Sequence, residues 1–330
     1  MFKNKSILIT GGTGSFGKAF ISHLISNYGN FKRLIIFSRD ELKQFEISQQ
    51  NEFQHPNLRM FLGDIRDRER LNRAFENVDI VIHAAALKQV PAAEYNPFEF
   101  VKTNVVGTQN IIDAALDNKV KDVVSLSTDK ASSPINLYGA TKLCSDKLIL
   151  SANNFKGNKK TNFSVVRYGN VTGSRGSVIP LFKKMNKKKR KLPLTHEEMT
   201  RFNISLNSAI ELVKIALKSK TKNAIFVPKL KSFYIKDLAE AISGKKKYFN
   251  IVGIRPGEKI HEELINPAEA RQTVELKNFY IIFNGMSDIE INKFCKLNSC
   301  KKVKSGFSYN SGDNKTFINI KDLKKIVDKD

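Results

Sequence analysis

Residues 6–17 read Ser-Ile-Leu-Ile-Thr-Gly-Gly-Thr-Gly-Ser-Phe-Gly, an apolar run of strand length followed directly by a glycine-rich turn. The pattern after the turn predicts an amphipathic helix over residues 18–28 and a second strand over residues 34–37. A strand, a helix and a parallel second strand form a βαβ unit, the building block of doubly wound α/β folds. The stretch therefore predicts that the fold begins with this unit.

The turn has the residues that a nucleotide diphosphate site needs. Glycines let the backbone come close to a diphosphate, and the following helix directs N–H groups and the positive end of its dipole at it. A glycine-rich turn that binds no ligand is the alternative. We expect the cofactor-binding residues of this loop to be Gly11, Thr13, Gly14, Ser15, Phe16 and Gly17.

The end of the second strand bears on which dinucleotide binds. Enzymes that use NAD commonly place a carboxylate here for the ribose hydroxyl, whereas this chain has Arg39, with Lys43 one helical turn later. Two cations suit the 2′-phosphate of NADP, so the sequence favours NADP. Asp40 leaves NAD open, and a solvated strand-end charge is the alternative for Arg39.

Further apolar runs continue the alternation of strands and helices. Strands are predicted over residues 58–62, 79–83, 123–127 and 163–168. Ala84 and Ala86, after the run 79–83, are small enough for a cofactor to pass the backbone. We predict an α/β Rossmann fold, with a doubly wound parallel sheet in an NADP-binding domain over 1–170, a return segment near 202–230, and a smaller C-terminal α/β substrate domain over 171–330.

The stretch 125–142 holds the residues most suited to catalysis. Asn136 is a helix cap, and Tyr138 and Lys142 then share one face of the helix, one turn apart. A neighbouring ammonium favours the phenolate, which makes the tyrosine a proton acceptor for an alcohol. This spacing is common by chance, but here it follows Thr128-Asp129-Lys130 at the carboxyl end of a strand, where open α/β sheets bind their ligands.

Composition is typical of a globular protein, with 41% hydrophobic residues in 330 and a formal net charge of +24. Because lysines are spread along the chain and no aromatics interrupt the basic runs, we interpret the charge as solvated surface and expect no nucleic-acid partner. The excess would attract a dianionic nucleotide diphosphate. The three cysteines have no metal-ligand or disulfide spacing, so no metal is expected.

The chain begins with an apolar strand and lacks the pattern of a secretory signal peptide. Its longest apolar stretch, residues 78–87, is too short to span a membrane. The sequence therefore favours a cytoplasmic protein without membrane contact.

Several stretches together resemble one enzyme family, the extended short-chain dehydrogenase/reductases. More narrowly, they resemble the inverting UDP-N-acetylglucosamine 4,6-dehydratases of pseudaminic acid biosynthesis, over about residues 3–285. The stretches are Gly11-Gly12-Thr13-Gly14-Ser15-Phe16-Gly17, Ser38-Arg39-Asp40-Glu41-Leu42-Lys43, Leu126-Ser127-Thr128-Asp129-Lys130-Ala131, Tyr138-Gly139-Ala140-Thr141-Lys142 and Arg255-Pro256-Gly257-Glu258-Lys259.

The resemblance implies further binding residues. Asp64 and Ile65 would flank the adenine, although Asp64 could equally cap the next helix, and Lys88 would contact both cofactor and substrate. Asn104, on an otherwise apolar stretch, is expected to be a buried polar group with a defined partner, and the resemblance implies that it supports the active site from behind. His83 is expected to be packed rather than catalytic. The implied residues for the sugar nucleotide are Lys88, Asn170, Arg175, Gly176, Ser177, Val178, Arg255 and Glu258. Surface charge beside a Pro-Gly turn is the alternative for Arg255 and Glu258, and a helix is predicted to follow them at Glu262 and Glu263.

The resemblance also implies roles in a reaction. Tyr138, with Lys142 and Thr128, would serve oxidation at C4, Lys130 would abstract the C5 proton, and Asp129 would protonate the departing hydroxyl. Lys130 must be neutral to act as a base, which requires a lowered pKa. The implied substrate is UDP-N-acetylglucosamine, the cofactor NADP, and the assembly a homo-oligomer, in this family a hexamer. Rivals are a C5-retaining dehydratase, a UDP-sugar 4-epimerase, and a non-catalytic nucleotide- or nucleic-acid-binding protein.

Overall fold

The structure, a computed structural model, describes residues 1–174, 176–219 and 221–328. Within them the strands are β1 (Ser6–Thr10), β2 (Arg33–Ser38), β3 (Leu58–Leu62), β4 (Ile80–His83), β5 (Asp122–Thr128), β6 (Asn162–Tyr168), β7 (Asn170–Val171), β8 (Leu192–Leu194), β9 (Thr200–Ile204), β10 (Ala224–Pro228), β11 (Lys231–Tyr234), β12 (Phe249–Ile251), β13 (Glu263–Ile265), β14 (Thr273–Glu275), β15 (Phe279–Phe283), β16 (Lys301–Lys302) and β17 (Tyr309–Asn310).

The α-helices alternate with the strands in the first part of the chain and are more scattered in the last. They are α1 (Ser15–Tyr28), α2 (Glu41–Ser48), α3 (Arg68–Ala74), α4 (Val90–Tyr95), α5 (Pro97–Phe100), α6 (Gly107–Asp117), α7 (Leu137–Phe155), α8 (Val178–Lys187), α9 (Leu206–Lys218), α10 (Ile235–Ser243), α11 (Asp288–Asn298) and α12 (Ile320–Asp328). None of the helices in the described residues combines the length and apolar composition needed to cross a membrane.

The chain divides into two compact units. Unit 1 comprises Met1–Ser127, Ala140–Val166 and Ile210–Phe226, and unit 2 comprises Thr128–Gly139, Arg167–Ala209 and Val227–Asp330. Their segments interleave, so no single point of the sequence separates them. The predicted assignment of residues 1–170 and 171–330 to cofactor and substrate stays a prediction.

Unit 1 is built on a parallel sheet with the strand order β10-β6-β5-β4-β1-β2-β3. Parallel registers join β1 to β2 and β4, β2 to β3, β4 to β5 and β6 to β10. From β1 the chain adds β2 and β3 on one side and then β4 and β5 on the other, so the strand order reverses between β1 and β4. Doubly wound sheets bind their ligands at this point. The predicted Rossmann α/β class is confirmed.

The strands of unit 1 form where the sequence has continuous apolar runs. Every residue of β1 is buried, as expected for a strand covered by helices on both faces. On α1, Phe16, Phe20, Ile21 and Leu24 are buried and recur at helical spacing, so this helix packs one face on the core. The periodicity of hydrophobic residues therefore explains both the strand and the helix that follow from the opening stretch.

Helices α5 and α6 are joined by a π-helical segment, Val101–Val106, where the sequence predicts one continuous helix. π-helical turns are rare and often found at functional sites. This one contains Asn104, which is 2% exposed.

Unit 2 consists of small sheets around its own apolar core. A three-stranded sheet has the order β11-β9-β7, while β8 pairs with β12 in parallel and β14 pairs with β15 and β16 antiparallel. The core residues come from α8, α10, α12 and the strands between them, and include Phe182, Leu192, Leu194, Phe233, Leu238 and Leu323. On α12, Leu323 and Val327 are buried one helical turn apart, so this helix packs one face on the core.

The helix predicted at Glu262 and Glu263 is wrong. Residues 263–265 form β13, which pairs antiparallel with β17, and the Glu262 backbone N–H donates to Ser311 Oγ at 2.9 Å. Because the partner strand lies far along the chain, tertiary pairing overrides the local helical preference of glutamates.

Candidate active site and cofactor site

The glycine-rich turn between β1 and α1 has the shape of a diphosphate site. Gly11 has φ +67°, and a Cβ there would lie 2.8 Å from Ala85 Cα. Helix α1 begins at Ser15 with Gly14 as its extended N-cap, without a side-chain cap hydrogen bond and without an acidic residue in its first turn. A close backbone approach and an uncapped helix N-terminus fit the diphosphate of a nicotinamide dinucleotide.

Both predicted 2′-phosphate cations have carboxylate neighbours. Arg39 Nη1 lies 3.6 Å from Asp64 Oδ2, and the Arg39 side chain is 54% exposed. The Lys43 ammonium is hydrogen-bonded to Asp40, which also caps α2 by accepting from Lys43 N at 3.0 Å. Arg39 is therefore the more accessible of the two cations.

Asp64 does not cap the next helix, because Asp67 caps α3. Its carboxylate instead accepts from Arg66 Nε at 3.0 Å and Nη2 at 2.8 Å. Burial opposes ionisation of Asp64, but Arg66 and Arg39 outweigh it and lower its pKa. The adjoining Ile65 is buried against Gly107.

An open pocket of about 320 Å³ in unit 1 lies beside these residues. Its lining includes three cations, Arg39, Arg66 and Lys88, together with Leu87, Gln89, Ala92, Asn96, Glu99 and Phe100. Lys88, predicted to touch both ligands, thus borders a cationic pocket of unit 1. Of the alanines after β4 that are predicted to lie beside the cofactor, Ala84 is half-buried and Ala86 is exposed.

Buried hydrogen bonds tie the strand ends of unit 1 together. Asn104 donates to Leu87 O and accepts from Leu87 N, both at 2.9 Å, and donates to Thr141 Oγ1 at 3.0 Å. This confirms the predicted buried amide with a defined partner. His83 lies 2.8 Å from Thr10 Oγ1, and burial, then Lys142, lowers its pKa to about 3, so it is a packed neutral imidazole.

Tyr138 and Lys142 both lie on α7 and are 8% and 3% exposed. Asn136 caps this helix as predicted, since its Oδ1 accepts from Gly139 N at 2.8 Å. A Cβ on Gly139 would lie 2.2 Å from Lys130 O, so only glycine allows the helix to start against residues 129–131. Burial lowers the pKa of Lys142, and Asp146 partly opposes this.

Lys130 lies between two buried carboxylates of unit 2. Its Nζ is 3.1 Å from Asp129 Oδ1 and 2.9 Å from Glu262 Oε1. Asp129 is 1% exposed and Glu262 2% exposed, and Thr128 donates to Asp129 Oδ1 at 2.9 Å. Neither Asp129 Oδ2 nor Glu262 Oε2 has a hydrogen-bond partner among the described residues.

The two carboxylates differ in their proton affinity. Burial and then the charge of Glu262 raise the pKa of Asp129 against the opposing effect of Lys130. Burial also acts on Glu262, but Lys130 and Arg201 outweigh it and lower its pKa. Burial opposes the charge of Lys130, yet Asp129 and Glu262 outweigh it and raise its pKa. The lowered pKa that a lysine base requires is therefore absent from the resting arrangement.

Arg201 and Lys259 complete this charged cluster. Arg201, on β9, is 7% exposed, and lies 3.7 Å from Glu262 and 3.6 Å from Glu258. Lys259 donates to Ser132 O at 2.8 Å. The sequence pattern pointed to neither Arg201 nor Glu262 as a site residue. The signal available for Arg201 was a charged residue within the short strand-like stretch 200–204. Arg255 is exposed and lies 3.8 Å from Glu258.

The segment implied to bind the sugar nucleotide, Asn170 and residues 175–178, begins in β7 and ends at the start of α8. Asn170 Oδ1 and Ser177 Oγ are buried without a hydrogen-bond partner among the described residues. Ser177 is also the extended N-cap of α8, which Val178 begins, and Gly176 has φ +75°. Arg175 lies outside the described residues. The Ser177 hydroxyl can donate to an anionic ligand beside the helix N-terminus, whereas Asn170 Oδ1 can only accept, for instance from a ligand hydroxyl group.

The described residues contain no group of His, Cys, Asp and Glu that could hold a metal ion. The parallel sheet, the glycine-rich turn and the helix with Tyr138 and Lys142 define an extended short-chain dehydrogenase/reductase. The family described as "Polysaccharide biosynthesis protein" matches residues 7–284, and the chain belongs to it.

Relatives and solved structures agree with this family. "UDP-N-acetylglucosamine 4,6-dehydratase (inverting)" of Campylobacter jejuni is 49% identical over 99% of this chain and 98% of its own length. "UDP-glucose 4-epimerase" of Rickettsia felis is 39% identical over 99% of this chain and 96% of its own length. The X-ray structure of Pen from Bacillus thuringiensis superposes with a TM-score of 0.89 at 38% identity, covering 100% and 99% of the chains. DesIV of Streptomyces venezuelae, with a TM-score of 0.69 at 23% identity over 77% and 86%, shares the fold.

Proposed function

We propose that this chain is a UDP-N-acetylglucosamine 4,6-dehydratase that inverts C5 and forms UDP-2-acetamido-2,6-dideoxy-β-L-arabino-hex-4-ulose. The observation that carries the proposal is the contact between buried Asp129 and half-buried Lys130, whose Nζ lies 3.1 Å from that carboxylate, ahead of Tyr138. A carboxyl group and an amine side by side are the two proton-handling groups that elimination of water needs. The relative from C. jejuni, with 49% identity over nearly the full chain, bears this activity in its name.

Oxidation at C4 opens the proposed reaction. When bound, the nicotinamide cofactor takes the hydride from C4 and later returns it to C6, so the net redox change is zero. Tyr138 takes the proton of the C4 hydroxyl as general base, assisted by Thr128 and by Lys142, whose charge favours the phenolate.

Elimination follows because the C4 ketone makes the C5 proton acidic. Lys130 accepts the C5 proton, the bond between C6 and its oxygen breaks, and Asp129 gives its proton to that oxygen, which leaves as water. The raised pKa of Asp129 supports the acid role, since the carboxyl keeps a proton that an exposed aspartate would lose. Return of the hydride to C6 and uptake of a solvent proton on the opposite face of C5 then give the L-arabino sugar.

The cofactor is a nicotinamide dinucleotide, and we assign NADP. Arg39, exposed at the end of β2, supports this choice because a guanidinium suits a phosphate group. Gly11, Thr13, Gly14, Ser15, Phe16, Gly17, Asp64, Ile65, Ala84, Ala86 and Lys88 are assigned to the same ligand. As a hydro-lyase the enzyme consumes no NADP.

For the sugar nucleotide we assign Lys88, Asn170, Gly176, Ser177, Val178, Arg255, Glu258 and, outside the described residues, Arg175. The buried oxygens of Asn170 and Ser177, which have no hydrogen-bond partner in the described part of the chain, support binding of a ligand at the start of α8. Arg255 offers a guanidinium for phosphate and Glu258 a carboxylate for ribose hydroxyls. We place the enzyme in the cytoplasm, where nucleotide sugars are substrates of polysaccharide biosynthesis.

A UDP-sugar 4-epimerase is the second candidate, because relatives that are 39% identical bear that name. An epimerase needs Tyr138, Lys142 and Thr128 but has no use for an acid and a base at C5 and C6. The buried charges around Lys130 favour the dehydratase.

The test is to incubate the purified protein with UDP-N-acetylglucosamine in D2O and follow the product by NMR. We expect a 4-keto-6-deoxy sugar of L-arabino configuration, with deuterium at C5 and the C4 hydrogen of the same molecule at C6. UDP-N-acetylgalactosamine as product would identify an epimerase. A product that keeps the D-configuration at C5 would identify a retaining dehydratase.

A further inference from the structure

A lysine held between two carboxylates is a poor base, which leaves the elimination step without an evident proton acceptor. The proton of Lys130 has two places to go within contact distance, Asp129 at 3.1 Å and Glu262 at 2.9 Å. Asp129 is already assigned as the acid that protonates the leaving oxygen. Glu262 is therefore the remaining acceptor.

Building on the proposed dehydratase, we propose that Glu262 is the positioning residue that accepts the proton of Lys130 and so makes its amine the base for C5. The geometry suits this role, because Glu262 Oε1 faces the ammonium directly. The Glu262 side chain is 2% exposed, so the accepting carboxylate is shielded from bulk water. The family resemblance implies no catalytic role for Glu262.

The protons balance over the step. With Asp129 protonated, Glu262 ionised and Lys130 charged, the three side chains hold two protons and have no net charge. Transfer from Lys130 Nζ to Glu262 leaves two neutral carboxyl groups and a neutral amine, which burial favours. The amine then takes the C5 proton, Asp129 gives its proton to the leaving oxygen, and water departs. The proton on Glu262 returns to Asp129 when the product leaves, directly or by exchange with solvent, which restores the starting charges.

The surroundings of Glu262 keep this transfer reversible. Arg201 on β9 and Lys259 stabilise its ionised form, while Glu258 is paired with Arg201 and Glu263 points to Ser133 and Ser308. His261, the preceding residue, lies 2.8 Å from Thr200 Oγ1 rather than beside the carboxylate. Ser311 holds the Glu262 backbone by two hydrogen bonds. Its Oγ accepts from Glu262 N at 2.9 Å, and its backbone N–H donates to Glu262 O at 2.8 Å.

The experiment compares wild type with Glu262→Gln, which keeps the shape and a hydrogen-bond acceptor but cannot take a proton. Single-turnover mixing with UDP-N-acetylglucosamine measures C4 oxidation by the absorbance of reduced cofactor, and C5 exchange and water loss by NMR. We expect normal oxidation but about 100-fold slower C5 exchange and water loss, in line with the loss of one acid–base group. Glu262→Asp, which keeps a carboxyl group, recovers part of the rate.

The pH profile separates proton transfer from a structural role. In Glu262→Gln the Lys130 proton must leave to solvent, which becomes easier as pH rises. The ratio of the wild-type rate to the variant rate therefore falls with rising pH. A merely structural defect would lower the variant rate by the same factor at every pH. Glu263→Gln, the matched control, keeps the wild-type rate. A variant that eliminates water at the wild-type rate at neutral pH, or a rate ratio independent of pH, overturns the role of Glu262 alone. Wild-type protein that forms no 4-keto-6-deoxy sugar overturns the proposed function as well.

Discussion

Asp129 and Glu262 are equally buried, yet their surroundings push their proton affinities apart. Glu262 has Lys130, Arg201 and Lys259 as positive neighbours, whereas Asp129 has Lys130 and the repulsion of Glu262. Two carboxyl groups of different pKa around one reaction centre are the usual means of dividing acid and base roles. The three cations and the two carboxylates thus set the direction in which protons move.

Asp129→Asn should abolish water loss while C5 exchange continues. The expected loss is at least about 100-fold, because the amide cannot protonate the leaving oxygen. In the wild type, water loss should decline as pH rises through the raised pKa of Asp129. Deuterium incorporation at C5 and product formation, measured separately by NMR across pH, check both statements. Equal loss of exchange and elimination would contradict the acid role.

The same carboxyl group has a consequence for folding stability. A raised folded-state pKa means that Asp129 stabilises the fold most below its unfolded pKa, and that this contribution is lost as pH rises through the folded pKa. Asn is never charged, so Asp129→Asn should not lower the melting temperature at neutral pH. Thermal unfolding therefore serves as the folding control for the kinetic experiment.

Arg167 is the largest fully buried charged side chain of unit 2. Its guanidinium donates to both oxygens of Glu269 at 2.9 Å and to Leu264 O at 3.2 Å. Arg167→Met should lower the free energy of unfolding by about 3–5 kcal/mol, because the partner carboxylate loses its counter-charge. The control is Lys229→Met, which breaks a more exposed pair with Glu275 and should cost at most about 1 kcal/mol. Equal midpoints in urea for the two variants would contradict this difference.

At the scale of elements, the strand-to-helix junction of β2 and α2 governs the choice of cofactor. Arg39→Ala should weaken NADP binding by about 10- to 150-fold, the value of one charge-assisted hydrogen bond of about 1.5–3 kcal/mol, and leave NAD binding unchanged. Lys43→Ala should have the smaller effect, because its ammonium already pairs with Asp40. Cofactor titration by fluorescence quenching measures the affinities of the wild type and of each variant for NADP and for NAD. Arg73→Ala, on α3, is the control. Equal weakening of NADP and NAD would refute the assignment of Arg39.

The elements that the sequence predicted are those defined by neighbouring residues. The β1 turn, the cap at Asn136 and the buried Asn104 follow from local pattern, and the structure confirms each. Glu262 could not be predicted as a site residue, because its burial depends on the pairing of β13 with β17 and on Ser311, far along the chain. The raised pKa of Lys130 could not be predicted either, since one of its two carboxylate neighbours is Glu262.

At the scale of the whole molecule, the formal net charge is +24, and lysines spread along the chain make copies of the protein repel one another. The exposed surface of unit 1 nevertheless includes large apolar side chains close together in sequence, with Tyr95 86%, Phe98 64% and Val106 47% exposed. Exposed aromatic residues on adjoining helices are typical of surfaces that contact another protein chain.

We therefore expect a homo-oligomer that covers the α4 and α5 surface, with six copies as the assembly that the family resemblance favours. Size-exclusion chromatography with light scattering should give a multiple of 37.3 kDa. Replacing both Tyr95 and Phe98 with Glu should reduce that mass, because a charged residue at the centre of an interface loses its hydration without gaining a partner. The double variant should keep its circular dichroism spectrum, since both side chains are exposed within the chain. A wild-type protein that elutes as a 37.3 kDa monomer would refute the assembly, and an unchanged mass in the variant would place the contact on another surface.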